Sequence, residues 1–407
     1  MTGMAEPSAS SSASSEPSRT YDLVLLGATG FTGGLTAEYL AAHAPDGLRW
    51  AIAGRSKEKL EQVRDRLGAA GESVDLVVVD SSDEAGLRDM AASTRVAVTT
   101  VGPYLEYGGP LVAACAQEGT DYADLTGEPE FVDRMYVDHQ ATAEASGARI
   151  VHACGFDSIP HDLGAYYTIQ QLAEELGGEI TAPVTMRGVV RSNGTFSGGT
   201  FHSALNAFAR ARQMRDAMQA RKRVEPRPEG RRSKAVAGKP MRDKTLGYWL
   251  LPLPTIDPFI VARSGAALPS YGPDFRYSHY AGTKTLRYAA GGAVGASALA
   301  VAAQVPPVRN TLKKRVPQGS GPSEGRRDAS WFSVEFLADA AGTTVRTKVS
   351  GGDPGYTETA KMLAESGLCL ALDDNPPTSG QVTTAQAMGD ALLARLQAAG
   401  IGFERVA

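Results

Sequence analysis

Two stretches of this 407-residue chain bring together residue types that do chemistry. The first, Gly27-Ala28-Thr29-Gly30-Phe31-Thr32-Gly33, places three glycines three residues apart. Such a backbone can turn tightly, approach a phosphate closely and offer it the amides of a helix N-terminus. The second, ACGFDSIPHDLGAYY at 153–167, gathers Cys154, Asp157, Ser158, His161 and Asp162. It invites a nucleophilic reading. Its Ser–His pair, however, has no recognised orienting acid and no Gly-x-Ser-x-Gly elbow, so hydrolysis is disfavoured. No set of His, Cys and carboxylate residues has metal-ligand spacing, and no metal is expected.

What these residues can do depends on the elements that carry them. YDLVLL (21–26) is an apolar run that stops at the glycine cluster, as a buried parallel strand does. LRWAIAG (48–54), DLVVVD (75–80), VAVTTVG (96–102), DYADLTG (121–127) and ARIVHACG (148–155) read as five more strands. Helical patterns intervene at 35–44, 55–68, 109–118 and 129–146. This alternation predicts an α/β fold, a Rossmann-type doubly wound parallel sheet. A glycine loop that follows its first strand and opens a helix is then in the context that dinucleotide binding requires.

The pattern changes after residue 160. ITAPVTMRGVVRS (180–192) reads as a long strand, 197–224 as a helix that turns basic, and 331–351 as an antiparallel hairpin. Two helices, about 354–371 and 383–398, precede a final strand, IGFERV. The expected organisation is a disordered tail (1–20), a nucleotide-binding domain (21–160) and a mixed α+β substrate domain (161–382). A basic mobile loop is expected at about 221–244, and 383–407 should pack back on the body.

Composition sets broad limits. A net charge of −4 gives no reason to expect nucleic-acid binding. Cys115, Cys154 and Cys369 are odd in number and far apart, which argues against a disulfide framework and fits a reducing cytosol. The Ser/Ala/Pro-rich start is not a secretory signal. One uncharged stretch, Tyr288 to Pro307, is rich in Ala and Gly and is followed by Arg309, Lys313, Lys314 and Arg315. It reads as a buried or surface-lying helix rather than a span, and residues 288–315 are compatible with peripheral contact to an anionic membrane.

The end of the second predicted strand selects the nucleotide. An NAD site places an acid there for the ribose 2′-hydroxyl, whereas this chain reads Gly54-Arg55-Ser56-Lys57. Two cations and a hydroxyl suit a 2′-phosphate, hence NADP. Asp80 is expected on the adenine side, and Val101, Gly102 and Pro103 against the nicotinamide half.

GATGFTG, AGRS, TTVGPY, YADLTGE, ACGFDSIPHDLG and TTAQAMGDALLARL together resemble the saccharopine dehydrogenase-like oxidoreductases, above all their actinobacterial trans-acting enoyl reductase branch. The resemblance runs from about Tyr21 to the C-terminus. It implies a Rossmann domain with NADP and, in that branch, reduction of a polyketide-chain double bond in glycolipid synthesis. Alternatives are a dehydrogenase of a small metabolite, or a non-catalytic NADP-binding protein at a membrane.

Reduction of an enoyl thioester needs a proton donor near the nicotinamide. Tyr104 is either that donor or a pocket-wall aromatic. Asp157 and Ser158 follow the sixth strand at the edge where ligands of open sheets bind, and they compete between an active-site role and capping of the helix at Pro160. Glu128 is expected to cap the helix that starts near Pro129, His161 and Asp162 to be surface or capping groups, and Cys154 to be a buried small hydrophobe. Ser197-Gly198-Gly199-Thr200 opens a helix, either as a plain cap or as an oxygen-binding turn. Arg221, Lys222, Arg223, Arg231, Arg232 and Lys234 form a solvated basic segment, or steer docking of an acidic carrier protein that delivers the thioester. The oligomeric state is open.

Overall fold

A computed structural model describes residues 19–194, 198–315 and 321–406, without the side chains of 198–200 and 204. Six strands follow one another in the first part: β1 (Tyr21–Leu26), β2 (Trp50–Gly54), β3 (Asp75–Val78), β4 (Thr94–Thr99), β5 (Asp121–Asp124) and β6 (Arg149–Val151). They form one parallel sheet in the order β6-β5-β4-β1-β2-β3, and a strand from the far end of the chain, Gly380–Val382, extends it beside β6. The sequence alternates faces as a two-residue period demands. Leu23, Leu25, Ile52, Val96 and Val98 enter one core, while Val24, Leu26, Ala51, Ala53 and Ala97 enter a second on the opposite side. The strand order reverses between β1 and β4, so the carboxyl ends of those strands open a crevice.

The second sheet is mixed. Its strands are β7 (Val184–Ser192), β8 (Arg232–Ala235), β9 (Met241–Arg242), β10 (Trp249–Pro252), β11 (Asp274–Thr283), β12 (Phe332–Ala340), β13 (Thr343–Gly351) and β15 (Gly402–Val406), with β14 the Gly380–Val382 strand of the first sheet. Helix Ile159–Glu175 lies across β12 and β13 and links the two bodies. Gly164 makes that close approach feasible, because a Cβ there would meet the Phe336 ring at 2.4 Å.

Three expectations need correction. Helix Thr357–Leu372 and β14, placed by sequence in the second domain, pack on the first sheet: Gly367 lies against Leu23 and Val98, and Tyr39 donates to Glu365 at 2.7 Å. The helical run 197–224 is two helices, Gly198–Ala209 and Ala211–Val224. The segment 221–244 is held in place over much of its length, since β8 and β9 pair with β11 and β10. Arg221 is buried beside Asp133, and Arg231 donates to the carbonyls of Gly265, Leu268 and Gly272. The expected tail, 1–20, falls almost wholly outside the described residues.

Gly164→Ala should overpack the helix–sheet contact and lower stability by about 1–3 kcal/mol, visible as a lower thermal midpoint. An unchanged midpoint would mean that Gly164 is not needed for the approach.

Candidate functional site

The glycine loop leaves β1 with a geometry that only bare backbone fits. Gly27 has φ +95°, and a Cβ on it would stand 2.7 Å from Thr100 Oγ1. On Gly33 a Cβ would stand 2.1 Å from the carbonyl oxygen of Gly27, so this residue seals the turn against the helix. Gly30 differs: it is exposed, and a Cβ on it would meet nothing nearer than its own turn at 3.4 Å. Helix Phe31–His43 starts here with no side-chain cap and no acid in its first turn. A helix end of this kind favours an anion, and a dinucleotide pyrophosphate fits it. Ala28 is buried beneath the loop, Thr29 is exposed, and the Thr32 carbonyl accepts from Thr36. The Phe31 ring meets Tyr356 edge-on at 5.0 Å, with the Arg327 guanidinium 5.6 Å from its centre, so residues of the second body close over the loop.

At the end of β2, Arg55 and Lys57 are exposed, and Lys57 makes only a loose pair with Glu61 at 3.8 Å. These cations meet what a 2′-phosphate requires. Ser56 has another task, accepting from the Lys59 amide as N-cap of helix Lys57–Arg66. Asp80 accepts from the amide and hydroxyl of Ser82; these bonds and the charge of Arg55 lower its pKa. It turns its own loop beside Arg55.

At the other end of the crevice, Val101, Gly102 and Pro103 lead from β4 into helix Tyr104–Tyr107, with Gly102 exposed. Tyr104 is not placed to give a proton. Its buried hydroxyl donates to the Thr99 carbonyl at 3.2 Å and accepts from the Leu125 amide at 3.1 Å, and burial, then Asp124, push its pKa well up. It is a brace between strand ends. Glu128 stands at the N-cap of helix Pro129–Ser146 as expected, through its carbonyl, while its side chain caps another helix. Its carboxylate accepts from the Tyr104 and Leu105 amides and from Ser203 of the second body.

The exits of β5 and β6 are organised by Asp124. This buried carboxylate accepts from Tyr122 Oη, the Thr126 amide and the Ala153 amide, and lies 2.7 Å from His152 Nδ1. Ala153 takes φ +62°, and the chain turns so that Asp157 comes beside Gly127 at the carboxyl edge of the sheet. Asp157 is half-buried, while Ser158 and Cys154 are fully buried. Ser158 begins helix Ile159–Glu175 through its carbonyl, not its hydroxyl, and that buried hydroxyl cannot touch a substrate. Ser158 is therefore set aside as a catalytic group.

His161 and Asp162 are not at the surface. Asp162 accepts from Ser264, Thr384 and the Ala385 amide, tying three helices together. The His161 ring lies 3.1 Å from Asp257, which lies 3.6 Å from His279. The two histidine rings pack edge-on at 4.8 Å, and Tyr277 Oη is 3.1 Å from His279 Nδ1. Burial opposes charge throughout. The mutual attraction of Asp257 and His161 nevertheless holds Asp257 low and raises His161, while burial and then the charge of His161 lower His279 to about 3. Burial, then the Asp257 charge, raise Asp157 to about 7 against the pull of His161. The three donors could enclose a cation. We read the group as a buried carboxylate held between two imidazoles, whose charge acts on Asp157. Sequence reasoning missed Asp257 and His279, whose partner lies about a hundred residues away along the chain. The Ser197–Thr200 turn falls outside what is described, apart from the helix beginning at Gly198.

Comparison with known proteins agrees with this geometry. Residues 23–151 match the saccharopine dehydrogenase NADP binding domain. The chain is 40% identical to a candidate trans-acting enoyl reductase of Mycobacterium tuberculosis, covering 95% of this chain and 97% of that one. It is 36% identical to the trans-acting enoyl reductase of Mycobacterium ulcerans, covering 95% and 98%. Among solved structures, saccharopine dehydrogenase from Saccharomyces cerevisiae aligns over 95% of this chain and 99% of its own, with TM-score 0.54 and 12% identity. At that identity the likeness shows the fold.

Gly30→Ala is sterically tolerated by the turn but places a methyl where a pyrophosphate must approach. We expect a near-unchanged thermal midpoint and an affinity for nicotinamide nucleotides about tenfold or more weaker. Unaltered affinity would remove the loop as the phosphate seat.

Proposed function

The chain belongs to the trans-acting enoyl reductase family and is an NADP-dependent oxidoreductase, and from that premise we propose that it reduces the carbon–carbon double bond of an enoyl thioester derived from a polyketide or lipid. Bound NADPH supplies the hydride. The protein's own part is to hold the cofactor, exclude water and place a proton. The pyrophosphate would rest on the amides around Gly30, and Arg55 and Lys57 would hold the 2′-phosphate. Residues 101–103 would face the nicotinamide half.

The observation that carries the reading of the reaction is Asp157, a half-buried carboxyl at the mouth of the crevice whose pKa stands near neutrality. A general acid works best when its pKa lies near the working pH. The proton would move from an Asp157 carboxyl oxygen to the carbon next to the thioester carbonyl; burial, then the Asp257 charge, raise this carboxyl to about 7, so a substantial fraction keeps its proton at neutral pH. Glu128, bonded to Ser203, fixes the second body over the nicotinamide end. A carrier-bound thioester would meet the exposed cations Lys222, Arg223, Arg232 and Lys234, whereas Arg221 and Arg231 are engaged within the fold.

Two measurements test this reading. Titration should show NADPH binding in strong preference to NADH, and Arg55→Ala should weaken NADPH about tenfold while leaving NADH unchanged. Equal effects on both nucleotides would refute the 2′-phosphate assignment. NADPH oxidation with enoyl thioesters should fall as pH rises through about 7, since the active form of Asp157 is protonated. Asp157→Asn should lose about a hundredfold in turnover and flatten that profile. An intact profile in the variant would exclude Asp157 as the donor, and oxidation only with small metabolites would overturn the substrate class.

A further inference from the structure

Helix Leu286–Gln304 lies open to solvent along most of its length. All residues from Ala290 to Ala298 are exposed, Val294 at 70%, and Val301 beyond them is exposed at 69%. It is attached at its ends, where Ala289 and Ala303 are buried and Gln304 donates to the Phe208 carbonyl at 2.6 Å. Val294, Ala298, Val301, Val305 and Val308 form a continuous apolar face. No charged side chain interrupts Tyr288 to Pro307 on any face, so the helix has no charged side to present to water. Gly291, Gly292 and Gly295 each cost an exposed helix about 1 kcal/mol relative to alanine. Water gives this helix little reason to exist.

The charge around it has one sign. No Asp or Glu occurs between Asp274 and Glu324, although the whole chain carries more acids than bases. Lys284 and Arg287 stand exposed before the apolar stretch, and Lys314 and Arg315 stand exposed in helix Pro306–Arg315 after it. Tyr288, 74% exposed, sits at the boundary. Cations and a tyrosine flanking an uncharged helix match the layered chemistry of an anionic bilayer: acyl chains, interface, phosphate headgroups. Ala and Gly carry little transfer energy, and the helix is docked against helix Gly198–Ala209. That combination suits seating in one leaflet rather than a crossing.

We propose that helices Leu286–Gln304 and Pro306–Arg315 seat this protein on an anionic lipid bilayer, the apolar helix among the acyl chains and the flanking cations at the headgroups. Helix Gly198–Ala209 connects this seat to Glu128 through Ser203, so the bilayer face lies one helix from the crevice. The seat stands independently of which bond the enzyme reduces.

Flotation of the full chain with phosphatidylcholine vesicles, with and without phosphatidylglycerol, tests the proposal. The protein should float with the mixed vesicles and much less with phosphatidylcholine alone. Val294→Asp with Val301→Asp should abolish flotation on both. Lys314→Ser with Arg315→Ser should reduce binding to the anionic vesicles about tenfold or more, and every variant should retain wild-type NADPH affinity. Failure of the wild-type chain to float, or flotation indifferent to these substitutions, would overturn the proposal. So would a wild-type dimer in light scattering that Val294→Asp makes monomeric without any vesicle binding, since the occupant would then be a second copy.

Discussion

The arrangement of the site depends on one buried carboxylate. Asp124 ends β5 inside the protein, where an uncompensated charge would be prohibitive, and it is stable there because four groups converge on it. Two of the four are the amides of Thr126 and Ala153, which begin the loops leaving β5 and β6. One carboxylate thus fixes where both chains turn. The first loop presents Leu125 to the Tyr104 hydroxyl and Glu128 to the start of helix Tyr104–Tyr107; the second carries Asp157 to the crevice. Loss of this anchor would release the cofactor side and the substrate side together.

Around that anchor the electrostatics are divided between the two ends of the crevice. The nucleotide end is positive: an uncapped helix start, Arg55 and Lys57. At the other end, burial and then the charge of Asp257 raise the pKa of Asp157 to about 7.

What the sequence made legible was local. The glycine loop, the strands around it and the basic end of β2 are read from contiguous residues, and the strands form where they were expected. The readings that failed depended on distant partners. Tyr104 looked available because its two hydrogen-bond partners, Thr99 and Leu125, meet it only once β4 and β5 are side by side. His161 looked like a surface residue because Asp257 and His279 come from other elements of the second body. The basic segment looked mobile because composition does not reveal that β8 finds β11 or that Arg231 finds three carbonyls. Helix Thr357–Leu372 returns to the first sheet by the same kind of long-range contact.

We propose that NADPH binds along the carboxyl edge of the first sheet with its reactive ring beside Asp157. A crystal structure of the complex with NADP⁺ tests it most directly. The pyrophosphate is expected on the amides that follow Gly30, the 2′-phosphate between Arg55 and Lys57, and the nicotinamide ring between residues 101–103 and Asp157. A nucleotide bound elsewhere, or a ring turned away with Asp157 shielded from it, would rule this placement out.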